Sequence, residues 1–148
     1  MSITTGALLA RPEVQLVVHG YVVRGTVQAP KLEEFSSAVA PQSGDVIEWK
    51  VVANNATAEV ARKLVTSLPV APSTQFVPGT AAAAPGVLVT YSADGGKSFS
   101  AKPTRIVHTP QGDVAKPIDP SLYTTVRWTQ AEIAAKTTAT FSYEAKVK

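Results

Sequence analysis

The chain has no cysteine among its 148 residues. That removes disulfide frameworks, thiolate metal sites and cysteine nucleophiles together, without fixing a redox compartment. It has two histidines, His19 and His108, and neither has a partner at helical spacing. A histidine-based zinc site would need both to converge with carboxylates, so they read as solvated or loop histidines and no metal or cofactor is expected. Charged residues make up only 17% of the chain, below the usual quarter. Ala, Val, Thr, Ser and Pro take their place, a composition common in exported β-proteins. No apolar run approaches the roughly 18 residues that span a bilayer. The net charge is +3, but Lys50, Arg62, Lys63, Lys97, Lys102 and Arg105 form no basic stripe, so no nucleic-acid partner is expected.

What is present is a globular share of apolar residues, 45%, arranged with a period of two. Phe141, Tyr143, Ala145 and Val147 alternate with Ser142, Glu144, Lys146 and Lys148, which describes a half-buried antiparallel strand. Val126 and Trp128, then Ile47, Trp49 and Val51, then Val87, Val89 and Tyr91 repeat the pattern. The run from Val14 through Leu16, Val17, Val18, Tyr21 and Val22 to Val23 is apolar on both faces in places. It reads either as an inner strand or as an assembly strand that pairs with the open sheet edge of a neighbouring copy.

Turn signals separate the runs. Pro41 to Asp45 precedes the Trp49 strand, Asn54 to Thr57 follows it, and Asp94-Gly95-Gly96 predicts a tight hairpin between Tyr91 and Phe99. The eleven prolines fall outside the alternating cores, as residues without a ladder donor must. The region from Pro103 to Pro120 predicts a long loop with a short edge strand near Arg105–Val107. Leu32 to Phe35 predicts one helical turn or a short strand. Thr129 and Glu132 match a capping box, which predicts a helical turn over 129–133.

No catalytic pattern stands out. There is no Gly-x-Ser-x-Gly elbow and no phosphate-cradling glycine loop. Asp94 reads as a turn residue rather than a calcium ligand, although Asp45, Asp113 and Asp119 could meet it at one end of a sandwich. Asn55-Ala56-Thr57 fits a glycosylation sequon, with a β-turn the preferred reading. Trp49, Trp128, Tyr91, Phe141 and Tyr143 are expected in the core. Tyr21, Tyr123 and Phe99, near turns, are the surface-contact candidates.

From Gly44 onward the features come in a familiar order. Gly44-Asp45 with Trp49 and Asn54-Asn55, Leu64 to Pro69, Phe76 to Ala81, Val89 to Phe99, and Val126 to Trp128 with Ile133 and the terminal strand resemble a DUF11-type domain. This is an immunoglobulin-like module of bacterial surface proteins. The likeness spans about 105 of the 148 residues, and departs from the family at Ala135-Lys136-Thr137, where a glycine turn is usual. It implies a secreted or cell-surface location and no catalytic residues.

The sequence therefore predicts an all-β, immunoglobulin-like antiparallel sandwich of about seven to nine strands with an N-terminal extension. Residues 1–12 read as a flexible N-terminus or signal remnant, and 13–148 as one domain whose DUF11-like core is 44–148. The expected function is a non-catalytic structural or interaction module of a bacterial surface, a filament or lattice subunit among the options. Its partners would be copies of itself or other surface proteins, with no membrane insertion. The alternatives are a phage or virion decoration protein and a carbohydrate or small-ligand binding module. The last predicts exposed aromatics on one sheet face.

Overall fold

The alternation becomes strands in the computed structural model, which describes residues 2–4, 14–26 and 28–148 and, at 2–4, the backbone alone. The strands are β1 (Ser2–Thr4), β2 (Val14–Gly25), β3 (Pro30–Glu34), β4 (Val46–Asn55), β5 (Ala61–Pro69), β6 (Thr74–Phe76), β7 (Leu88–Ser92), β8 (Thr104–Thr109), β9 (Gly112–Pro117), β10 (Thr125–Ile133) and β11 (Thr137–Val147). Six of them form one sheet in the order β1-β2-β4-β11-β6, with β3 beside β1 along β2. A second sheet runs β5-β10-β7, and β8 and β9 form a separate two-stranded ribbon. Every pairing is antiparallel. The rest of 1–12 and Glu13 lie outside the described residues.

The two sheets face each other across one core. Trp128 on β10 stacks on Phe141 at 5.8 Å and tilts against Tyr143 at 6.3 Å, both on β11. Phe76 on β6 meets Tyr91 on β7 at 5.2 Å. Val51, Ala53, Val126 and Ala145 are sealed from solvent among them. The molecule is the antiparallel β-sandwich that a period of two demands.

β2 is an inner strand. Val14, Leu16, Val18 and Val22 are buried, while Val17, Tyr21 and Val23 are half-buried on the outer face. β4 pairs one edge over its whole core, and β1 and β3 take the other from Val17 to Gly25. The apolar run belongs to the domain's own sheet, with little main chain left for a neighbour.

Several local expectations are corrected. Residues 129–133 are strand, not a helical turn. β10 stays in register with β5 from Thr125 opposite Pro69 to Ile133 opposite Ala61, and burying Ile133 outweighs a local capping pattern. Glu132 instead bonds Arg62 across the strands at 2.6 Å. Leu32 to Glu34 take the short strand, one of the two expected readings, as part of β3. The Pro103–Pro120 region holds a regular ribbon, because Pro103, Pro110 and Pro117 fall before, between and at the end of its strands. That ribbon and the short β1 raise the strand count above the expected range. Trp49 is only half-buried, although it points to the core side. It packs edge-on to Phe35 at 5.4 Å across Gly20, where a Cβ would come within 2.5 Å of the Phe35 ring and 2.8 Å of Trp49. Tryptophan reaches the rim of the sandwich there because its neighbour has no side chain.

Candidate functional site

The loop after β7 is built by one carboxylate. Asp94 Oδ1 accepts from the Ser92 hydroxyl at 2.6 Å, the Ser98 amide at 3.0 Å and the Lys97 amide at 3.1 Å. Its Oδ2 accepts from the Ser98 hydroxyl at 2.5 Å. Ser92 is buried, and its hydroxyl in turn accepts the Gly96 amide at 2.9 Å. Gly95 and Gly96 take φ of +77° and +91°, the left-handed region that glycine enters without strain. The glycines therefore serve a broad loop closed by the Tyr91–Ser100 bridge, not the tight hairpin expected from sequence.

A cleft of about 410 Å³ opens between this loop and the base of the β8–β9 ribbon. Tyr91, Asp94, Ser98, Phe99, Ser100 and Thr104 are among the residues that line it. Phe99 is fixed from outside the cleft by Arg127, whose guanidinium carbon lies 3.5 Å from the ring centroid. Arg127 is held in turn by its Nε, which donates to Ser67 Oγ at 3.3 Å. Tyr91 stacks on Tyr123 at 4.8 Å, so the inner wall is aromatic and continuous with the core.

The ribbon is the second candidate. Thr109 and Gly112 close its tip around Pro110, with Gly112 at φ +118°. It has no substantial packing on any other strand. β9 is exposed along its length, and Ile106 and Val114 stay 60% and 43% exposed. Arg105 and Lys116 stand directly opposite each other, an unfavourable like-charge pair with no acidic partner among the described residues.

Other sequence candidates separate. His19 lies 3.1 Å from Glu34, and His108 lies 2.6 Å from Asp113 on the ribbon. Among the described residues no Ser or Thr hydroxyl bonds either imidazole, and no three His, Cys, Asp or Glu side chains gather as a metal site would need. Asp45 accepts the Gln42 amide at 2.9 Å and Asp119 the Ser121 amide at 2.9 Å, so each aspartate serves its own turn. Tyr21 and Tyr123 are half-buried, and Lys50 sits over the Tyr21 ring. No helix among the described residues is long and apolar enough to cross a membrane.

Asn55 is the residue that sequence reasoning undervalued. It is fully buried, and its Nδ2 donates to Glu59 O at 2.8 Å and Ile133 O at 3.1 Å. Its Oδ1 accepts the Thr57 hydroxyl at 2.7 Å and the Thr57 amide at 3.2 Å. The sequon nitrogen is occupied inside the fold. Only its place at the end of an apolar strand hinted at this.

The Asp94 loop makes stability depend on pH. Hydrogen bonds from Ser92 and then Ser98 hold the Asp94 carboxyl well below the usual carboxylate range. A depressed folded-state value means the contribution is complete above the unfolded value near about pH 4 and is lost as pH falls below it. Thermal melts from about pH 7 to about pH 3 should therefore show Asp94→Asn less stable than wild type at neutral pH, with the gap closing on acidification. A gap independent of pH would contradict the assignment.

Compared with known protein families, curated proteins and solved structures, the chain matches none.

Proposed function

We propose that this chain is a non-catalytic structural and interaction module of a bacterial cell surface, secreted and of the DUF11-type immunoglobulin-like kind, which assembles with copies of itself by strand addition. The carrying observation is the β8–β9 ribbon, a two-stranded element standing off the core. Such a ribbon alone is marginal in water, so a partner surface is the natural source of its stability. Its edges carry unpaired amides and carbonyls, and its two faces carry Ile106 and Val114.

The complementary surface lies on the same molecule. β3 pairs only with β2, which leaves its other edge open among the described residues. That edge carries Glu33 and Glu34 beside Leu32, which is 39% exposed. The Arg105–Lys116 pair of one copy set beside Glu33 of the next relieves the ribbon's repulsion and extends the six-stranded sheet. Donor and acceptor surfaces differ, so the contact is heterologous, the kind that builds an open filament where its rotation does not close a ring. The bacterial-surface setting rests on the DUF11 likeness and the charge-poor composition. Gly44-Asp45, Asn54-Asn55 and Asp94-Gly95-Gly96, which carry that likeness, each build a turn or a buried junction here.

The test replaces 104–117 by two glycines. The ends are already adjacent, since the Ile118 amide donates to Pro103 O at 2.9 Å. Light scattering and negative-stain microscopy should show concentration-dependent filaments for the full chain and monomers for the deletion, with matching melting curves. A strictly monomeric full chain, a deletion that assembles equally well, or closed symmetric trimers of the virion-decoration kind would overturn the proposal.

A further inference from the structure

We infer that the cleft beside the Asp94 loop binds a neutral pyranose sugar of a surface glycan. This goes beyond the assembly reading and does not depend on it. The cleft's volume, about 410 Å³, suits a small ligand, and each wall carries hydrogen bonds made within the chain. One wall is the loop tied by Asp94. The other is the ribbon base, closed by the Ile118 amide on Pro103 O.

The polar groups left over define the ligand. Asp94 Oδ1 already takes three donors, but Oδ2 takes only the Ser98 hydroxyl and keeps a lone pair for another donor. The Ser100 hydroxyl oxygen accepts the Lys102 amide at 3.1 Å, which leaves its proton to donate. The Thr104 hydroxyl is exposed and has no partner among the described residues. One anionic acceptor and two hydroxyls at the rim of an aromatic wall match a molecule with vicinal hydroxyls and a C–H face.

Phe99 supplies that wall. Arg127 covers one side of its ring and does not line the cleft, so the ring turns its other side or edge to the ligand. A stacked guanidinium holds Phe99 still, which lowers the entropy lost on binding. The charge pattern selects against anions. Asp94 stays ionised, and no Lys or Arg is among the residues lining the cleft. An acidic sugar would meet a carboxylate with no cation to offset it.

The test titrates chitotriose, cellotriose, maltotriose and mannotriose, with sialyllactose as the anionic comparison, into isotope-labelled full-length protein. At least one neutral sugar should shift the amides of Asp94, Ser98, Phe99, Ser100 and Thr104 saturably at millimolar concentration, and sialyllactose should not. Phe99→Ala should weaken binding about tenfold or more, the scale of one lost aromatic contact. Since that variant also frees Arg127, Thr104→Val gives a second reading in a strand that tolerates valine, and should weaken binding with an unchanged melting curve. Failure of every neutral sugar to shift the cleft amides, equal binding of sialyllactose, or wild-type affinity in both variants would overturn the inference.

Discussion

Trp128→Ala is expected to lower the stability of the fold by about 4 kcal/mol, the cost of emptying a large aromatic site that cannot collapse. Trp128 is the largest side chain sealed from solvent, and it lies between the two sheets against Phe141 and Tyr143. Truncation leaves a cavity bounded by two hydrogen-bonded ladders, which cannot move together without breaking register. For a domain of this size the midpoint should fall by about 12 °C. Trp128→Phe should recover much of the loss. The indole Nε1 is buried with no hydrogen-bond partner among the described residues, so phenylalanine gives up volume but no bond. A Trp128→Ala protein that melts within about 1 kcal/mol of wild type would mean that the sheets do not share this interior.

Asn55→Ala should cost about 3 kcal/mol, with a midpoint about 9 °C lower. The side chain joins the end of β4 to the β10–β11 connection, because one amide serves carbonyls of Glu59 and Ile133 and one oxygen serves Thr57. Alanine leaves several of these partners buried and unsatisfied, a cost above that of a single lost bond. Asn55→Asp should be at least as damaging, since it removes both donors and sets a carboxylate against carbonyl oxygens. Chemical denaturation of both variants checks the order. Asn55→Asp as stable as wild type would contradict the network.

The sandwich was legible because burial of one face imposes a period of two, and Phe141, Tyr143 and Ala145 keep it without a break. Val126 and Trp128 keep it as well. The errors have a common source. Thr129 and Glu132 satisfy a rule that acts over three residues, yet Ile133 is fixed by a partner strand 72 residues away at Ala61. Asn55 reads locally as a turn residue, but one of its partners, Ile133, is 78 residues further on. The ribbon was hidden by its own prolines, which mark strand ends as readily as loops. The cleft could not be read at all. Tyr91, Phe99 and Thr104 come together only because the Tyr91–Ser100 bridge turns the chain back on itself.

The most direct test of self-assembly through the ribbon is amide hydrogen exchange across protein concentration. Assembly predicts that exchange over 104–117 and over 30–34 slows together as concentration rises, while 141–145 in the core stays slow throughout. Exchange in both segments that stays the same from dilute to concentrated protein would contradict it.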